Sequence, residues 1–165
     1  CIHIWHECLN RKDFIKVILI FYLMPKVEKI LKEKNIHYRL IKSKKDNSFE
    51  NEEDICKTII VRDRKRNFYA CILKSKYRID KDKVRKVIGS KITLATHENL
   101  KEIADAKPGE VCPILLNIKM IIDKKVLDLK EISFGSGETS SVIKIKLDDF
   151  LRMLKNYEIR DIIAD

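Results

Sequence analysis

Two runs of β-forming residues, Lys57-Thr-Ile-Ile-Val-Arg62 and Phe68-Tyr-Ala-Cys-Ile-Leu73, flank a five-residue charged turn, Asp63-Arg-Lys-Arg-Asn67. β-branched and aromatic residues in short runs on either side of such a turn predict a β-hairpin, with Arg64, Lys65 and Arg66 exposed at its tip. This hairpin is the centre of a sheet, and the remaining segments have to be read as what surrounds it.

Before the hairpin, Pro25 suits a first helical turn, and Val27, Ile30 and Leu31 follow helical spacing up to Asn35. An amphipathic helix over 25–34, its apolar stripe against a sheet, is the expectation. Tyr38-Arg-Leu-Ile41 reads as a short strand, and Lys42 to Asp54, polar and without periodicity, as a loop. After the hairpin, Asp80 caps a helix running through Lys83-Val-Arg-Lys-Val-Ile88 to Gly89, and Ile92-Thr-Leu-Ala95 is a strand. Thr96 caps a further helix with Leu100, Ile103 and Ala104 inward. Lys119-Met-Ile-Ile-Asp123 and Glu131-Ile-Ser-Phe134 read as strands, Gly135 to Ser141 as a turn. Val142 to Leu147 alternates, placing Ile143, Ile145 and Leu147 on one face and Lys144 and Lys146 on the other. Asp148 caps a last helix that buries Phe150, Leu151 and Leu154. Strands joined by hairpins or single helices predict one α/β (α+β) domain with a mixed sheet.

Charge narrows the partner class. Residues 1–90 hold 23 basic and 12 acidic side chains, whereas 91–165 hold 12 and 13. The excess in the first half fits a face turned toward a polyanion, although a lysine-rich solvated surface would look the same. Five cysteines at irregular spacing, without a Cys-x-x-Cys pair, argue against a disulfide framework and for a reducing compartment, the cytoplasm. The apolar run Phe14 to Leu23 contains Lys16 and falls short of the roughly 20 residues that a membrane span needs. Residues 1–23 read as a detachable extension, with Met24 as the natural start. Within it, Cys1, His3, His6 and Cys8 are soft ligands of the kind zinc accepts, but no second knuckle follows, so no metal and no cofactor is expected.

The chemistry concentrates in Lys107-Pro-Gly-Glu-Val-Cys-Pro-Ile114, which holds two of the three prolines and one of the four glycines. Prolines fix φ and remove donors, while Gly109 can take φ > 0, so the remaining amides of this loop can be held toward a guest. Neither a phosphate-binding loop nor a Gly-x-Ser-x-Gly elbow is present. Cys112 could act as a nucleophile but has no adjacent histidine. What remains is electrostatic cleavage of an ester: backbone amides and a cation stabilise charge on the carbonyl, while water or a hydroxyl of the substrate attacks. Lys57, the 107–114 loop and Gly135-Ser-Gly137 supply such parts, although a lysine opening a strand is by default a solvated edge charge and Asp123 a strand-exit cap.

Taken in order, Cys56-Lys-Thr-Ile-Ile-Val61, Asp80 to Gly89-Ser-Lys91, Ala95-Thr96, Lys107 to Ile114, Ile121-Ile-Asp123 and Phe134-Gly-Ser-Gly137 resemble the YbaK/ProX family of aminoacyl-tRNA editing domains. The resemblance spans 25 to about 163, so that 24–165 is expected to be one editing domain. It implies a curved, partly barrel-like mixed β-sheet flanked by helices. It further implies hydrolysis in trans of mischarged tRNA, typically a prolyl-tRNA bearing alanine or cysteine, with an aminoacyl-tRNA synthetase as a further partner.

On this resemblance Lys57 falls on the family's functional lysine, which holds the terminal adenosine phosphate or the ester carbonyl. Gly109 and Pro113 fall on its Gly-x-x-x-Pro element, so that Gly109, Glu110, Val111, Cys112 and Pro113 would cradle the substrate. Asp123 falls on the aspartate after an isoleucine pair, and Gly135, Ser136 and Gly137 on a glycine-rich turn. Arg62, Arg64, Lys65 and Arg66 would contact tRNA phosphates. Glu110, Cys112 and Leu115 depart from the residues usual in the family, Glu138-Thr-Ser140 replaces a basic turn, and the helix before the lysine strand shrinks to 47–54. The reading of another class is a tRNA- or synthetase-binding module that keeps the fold without turnover, and a third is thiol chemistry at Cys112.

Overall fold

The computed structural model describes residues 26–43, 52–138 and 140–165. The readings made for 1–23 and for most of the 42–54 loop lie outside these residues. An eight-residue helix, α1 (Lys26–Glu33), ends before Asn35, whose φ of 56° reverses the chain. Strand β1 (Arg39–Lys42) and a short 3-10 turn (Glu52–Asp54) precede the hairpin of β2 (Cys56–Asp63) and β3 (Phe68–Lys74). Then come α2 (Lys81–Ile88), β4 (Ile92–Leu94), α3 (His97–Ala104), a 3-10 turn at Pro113–Leu115 and β5 (Lys119–Asp123). A 3-10 turn at Lys124–Asp128, β6 (Glu131–Gly135), β7 (Ser141–Lys146), α4 (Leu147–Met153) and β8 (Tyr157–Arg160) complete the order.

The strands form a five-stranded sheet in the order β4-β2-β3-β5-β8 and a three-stranded sheet in the order β1-β7-β6. β2 is antiparallel to β3 and β4, while β5 is parallel to both β3 and β8, so the larger sheet is mixed, as expected for an α+β domain. A parallel bridge between Ile55 and Ser133 joins the start of β2 to β6 and so links the two sheets.

Burial explains why the sheet is two-sided. Ile60, Ala70, Ile72, Met120 and Ile122 point to one face of the larger sheet and share a core with Val27 and Leu31 of α1, Leu100 of α3, and Ile132, Phe134, Ile143 and Ile145 of the smaller sheet. Phe134 and Phe150 of α4 meet there with ring centroids 5.2 Å apart. The opposite face, with Val61, Cys71 and Ile121, is covered by Val84 of α2 and by Ile162. The hairpin is thus buried on both sides, which accounts for its continuous apolar run.

Three local expectations need correction. α4 begins at Leu147, with Lys146 at its N-cap and Asp148 already inside its first turn, where a carboxylate is favoured by the helix dipole rather than by capping. Lys144 is not on a solvated face: it is 8% exposed, and its Nζ lies 2.6 Å from Asp54 Oδ2, because the 52–54 turn comes down onto β7. Strand β8 has no counterpart among the elements read from the sequence.

Candidate functional site

The 107–116 segment takes its shape from its own composition. Glu110 N donates to Lys107 O at 3.0 Å, with Pro108 and Gly109 as the central residues and Gly109 at φ 87°, which is a type II β-turn. Leu115 N donates to Cys112 O and Leu116 N to Pro113 O, each at 3.2 Å, closing the 3-10 turn that the second proline opens. The segment is anchored on β6 by Gly135. A Cβ at that position would stand 3.1 Å from Val111 O and 3.4 Å from Gly109 O, so only a glycine lets the end of β6 touch the loop backbone without displacement.

Across this contact opens a cavity of about 710 Å³. Lys57, Thr58, Gly109, Val111, Gly135 and Val142 are in its wall, with His97 and Leu94 toward its rim. The structure therefore brings together Lys57, Gly109, Val111 and Gly135 from separate stretches of sequence. They meet because this edge of β2 is left open near its start: β4 pairs only with Val61, Arg62 and Asp63, and Ala95 N adds one bond to Ile60 O, so 56–59 have no strand beside them there.

Lys57 Nζ donates to the carbonyl of Ser75 at 3.0 Å, which fixes the side chain and leaves two of its three N–H donors for a ligand. Partial burial, together with the charge of Arg78, holds its ammonium below the ordinary lysine range. A solvated edge charge would feel neither. Nothing in the sequence singles out Thr58, Ser75 or Arg78. Only His97, following the Thr96 helix cap, stands at a position where a local signal exists.

Glu110, Cys112, Ser136 and Gly137 are not in this wall. They border a second cavity of about 430 Å³ on the other side of the loop, together with Lys26, Glu102, Asp105 and Glu138. Ser136 Oγ lies 2.5 Å from Ser141 Oγ and accepts from Glu138 N at 3.2 Å, so this serine holds its turn together. Cys112 is 3% exposed and burial pushes its thiol up to about 12, against a smaller opposing pull from the amides of Ile114 and Leu115. At neutral pH it is a protonated thiol, the wrong state for a nucleophile.

Pro113 is buried as the first residue of its 3-10 turn and lines neither cavity. Asp123 is fully buried on the opposite side of β5 from the cavity core. Its carboxylate accepts from Lys125 N and Ile162 N, both at 2.9 Å, which ties the strand exit to the C-terminal segment. The amide-cradle expectation narrows accordingly, since the amides of Glu110, Leu115 and Leu116 are spent inside the loop. Arg62, Arg64, Lys65 and Arg66 stand at the far end of β2, Arg64 roughly 23 Å from Lys57 at a strand rise of about 3.3 Å per residue. Asp63 beside them is turned inward, accepting from Asn67 N at 2.8 Å, Asn67 Nδ2 at 2.9 Å and the Tyr69 hydroxyl at 3.4 Å. Among the described residues no three His, Cys, Asp or Glu side chains converge as metal ligands would, and no helix is long and apolar enough to cross a membrane.

This arrangement can be set beside known proteins. The chain is 28% identical over 165 residues to a proline--tRNA ligase of Francisella tularensis subsp. mediasiatica (strain FSC147), an alignment covering 93% of this chain and 28% of the ligase. A proline--tRNA ligase of Francisella tularensis subsp. novicida (strain U112) is 27% identical over the same shares. The chain thus spans 28% of the length of these relatives. Among solved structures, a candidate trans-editing enzyme for prolyl tRNA synthetase superposes with a TM-score of 0.74 at 17% identity, over 84% of this chain and 95% of that one. The hypothetical protein APE2540 superposes with a TM-score of 0.73 at 22% identity, over 84% and 99%. At such identities these two likenesses speak for the fold alone. Residues 43–153, well over half of the chain and the part that contains Lys57, the 107–116 loop and Gly135, match the model of the aminoacyl-tRNA editing domain, and the chain belongs to that family.

Proposed function

We propose that the protein is an aminoacyl-tRNA deacylase that hydrolyses the ester of a mischarged tRNA in trans, with alanyl- or cysteinyl-tRNA(Pro) as the first substrates to test. The observation that carries this reading is the convergence of Lys57 with the backbone of Gly109, Val111 and Gly135 around one cavity. An aminoacyl ester on a terminal ribose offers such a site a carbonyl oxygen that gains negative charge on attack and a nearby phosphate that is already negative. Lys57, tethered through one donor and with two left over, serves either as the group that stabilises the developing oxyanion or as the clamp on the phosphate. Water attacks the carbonyl, giving up its proton with the neighbouring ribose hydroxyl as a relay; the tetrahedral intermediate collapses, expelling the ribose oxygen, which takes up a proton and leaves the free amino acid. No protein nucleophile and no metal enters this scheme. The protein's contribution is placement and charge.

One observation favours a second reading, the binding module without turnover: the amides of Glu110, Leu115 and Leu116 are satisfied within the loop, which leaves fewer donors for an oxyanion. A panel of mischarged tRNAs separates the two. The deacylase reading expects at least one to be hydrolysed well above the buffer rate and this hydrolysis to disappear in Lys57→Ala. Binding of tRNA without hydrolysis of any of them would overturn it in favour of the module.

A further inference from the structure

The edge strand β4 connects the mouth of the Lys57 cavity to the charged tip of the hairpin. Leu94, 47% exposed, lines the cavity and pairs with Val61; Thr93 pairs with Arg62; Ile92 pairs with Asp63, where Arg64 to Arg66 turn the chain. Lys91 immediately precedes the strand. Arg64, Lys65, Arg66 and Lys91 are exposed, Arg62 half-buried, and none of these five side chains makes an ion pair or hydrogen bond among the described residues. Other cations, among them Lys83, Lys119, Lys124 and Lys144, each sit against a carboxylate; what sets the tip apart is that its five cations stand close together, four in the chain and Lys91 across the pairing of β4 with β2. The single carboxylate at the tip, Asp63, is occupied by Asn67 and Tyr69. Five uncompensated cations in one place repel one another, an arrangement that a polyanion relieves.

The spacing says which part of a polyanion goes where. Lys57 and Leu94, the latter opposite Val61, are roughly 13 Å apart along β2, and Leu94 is another 10 Å or so from Arg64, at about 3.3 Å per residue. Resting on the reading of the cavity as the seat of an aminoacylated tRNA end, we infer that β4 is a track for the unpaired 3′ tail of the tRNA. Leu94 supplies the apolar surface under a base in the middle of the tail. Arg62, Arg64, Lys65, Arg66 and Lys91 hold the phosphates where the acceptor duplex begins. From Lys57 to the tip is roughly 23 Å, about seven steps of a stacked strand at about 3.4 Å each, so a three-nucleotide CCA tail reaches from the cavity to the tip only if it runs unstacked and extended along β4.

The test measures binding of deacylated tRNA, with and without its CCA end, by fluorescence anisotropy over a range of salt. The proteins compared are the wild type, a tip variant (Arg64→Ala, Lys65→Ala, Arg66→Asn, the last keeping a residue that tolerates φ > 0) and Leu94→Asp. The tip variant is expected to weaken both tRNAs and to reduce the slope of log K against log salt by about 2 to 3, near 0.9 for each phosphate that is no longer neutralised. Leu94→Asp is expected to weaken the intact tRNA by about fivefold or more while leaving the CCA-less tRNA within about twofold. Tip substitutions that affect only the intact tRNA, an unchanged salt slope, equal weakening of both tRNAs in Leu94→Asp, or a larger effect in Lys42→Ala at the end of β1 would each overturn the track. None of these arms needs hydrolysis: a wild type that shows the pattern yet deacylates nothing sinks the deacylase reading and leaves this one standing.

Discussion

The 107–116 loop is a wall between two cavities, and the two sides are unlike. One side holds Lys57 and His97, Gly109, Val111 and Gly135, the open edge of β2, and Glu138, which borders both cavities. The other holds Glu102, Asp105 and Glu110 with Lys26 and the Cys112 thiol. A substrate whose reacting end carries a phosphate and gains negative charge in the transition state is favoured by the first, where Lys57 faces a single carboxylate, over the second, where four carboxylates surround one lysine. The same few residues of loop thus belong to two surfaces, and charge, not the loop motif, decides which is the site. The motif residues Gly109 and Val111 belong to the cationic side; Glu110 and Cys112, next to them in sequence, belong to the acidic one.

Four measurements would break or sharpen that contrast. The largest effect is expected in Lys57→Ala, a fall of about 10² to 10³ in kcat/KM, the range for removing one group that stabilises an oxyanion. A fall of comparable size in Glu102→Gln, on the acidic side, would reverse the assignment of the two cavities.

Gly135→Ala comes next, because its Cβ would press on Val111 O at 3.1 Å and displace the wall itself. About a tenfold fall in kcat/KM is expected, a fraction of what a full ångström of misplacement can cost. Unchanged kinetics would mean that the loop backbone does not position the substrate.

The third effect lies in pH dependence. Burial and the Arg78 charge lower the Lys57 pKa, so a step that needs the ammonium is intact at lower pH and fails as pH rises through a value below the ordinary lysine range. Removing the like charge in Arg78→Ala moves this alkaline limb to higher pH. A limb that stays in place or moves down would mean that Lys57 is not the titrating group.

The smallest effect is expected in Cys112→Ser. With the thiol pushed up to about 12 and turned into the second cavity, hydrolysis stays within about twofold of wild type. Abolished activity would make the thiol the nucleophile and overturn the whole contrast.

Much of the local structure is legible in the sequence because it is set by near neighbours. Asp80 accepts from Asp82 N and Lys83 N at the start of α2, and Gly89 ends that helix at φ 72°. Thr96 and Asn99 form a reciprocal cap on α3. The hairpin register, Arg62 with Phe68 through Cys56 with Lys74, follows from its turn and its apolar runs. The failures are of another kind. Lys144 alternates like a solvent-facing residue and is buried by a turn 90 positions away in sequence. β8, Tyr157–Arg160, has too short and mixed a pattern to announce itself and exists because it pairs with β5. Family resemblance draws Asp123 into the site, whereas its position at a strand exit already points to the backbone-capping role that its two amide partners give it.

By itself the sequence determined most of the elements, the caps at Asp80, Gly89 and Thr96, the freedom of Gly109 to take positive φ and the concentration of basic residues in the first half, all consequences of dihedral preference, periodicity and charge. The tertiary structure alone decided which of those elements leave an edge open. β4 is three residues long and stops at Leu94, so on that side the start of β2 has no paired strand, and into that gap come Lys57, the loop and the end of β6. Sheet order and strand length are set by the balance of all long-range packing, and no local signal in the chain encodes an absence of pairing. The site is that absence, lined by residues that the fold brings to it.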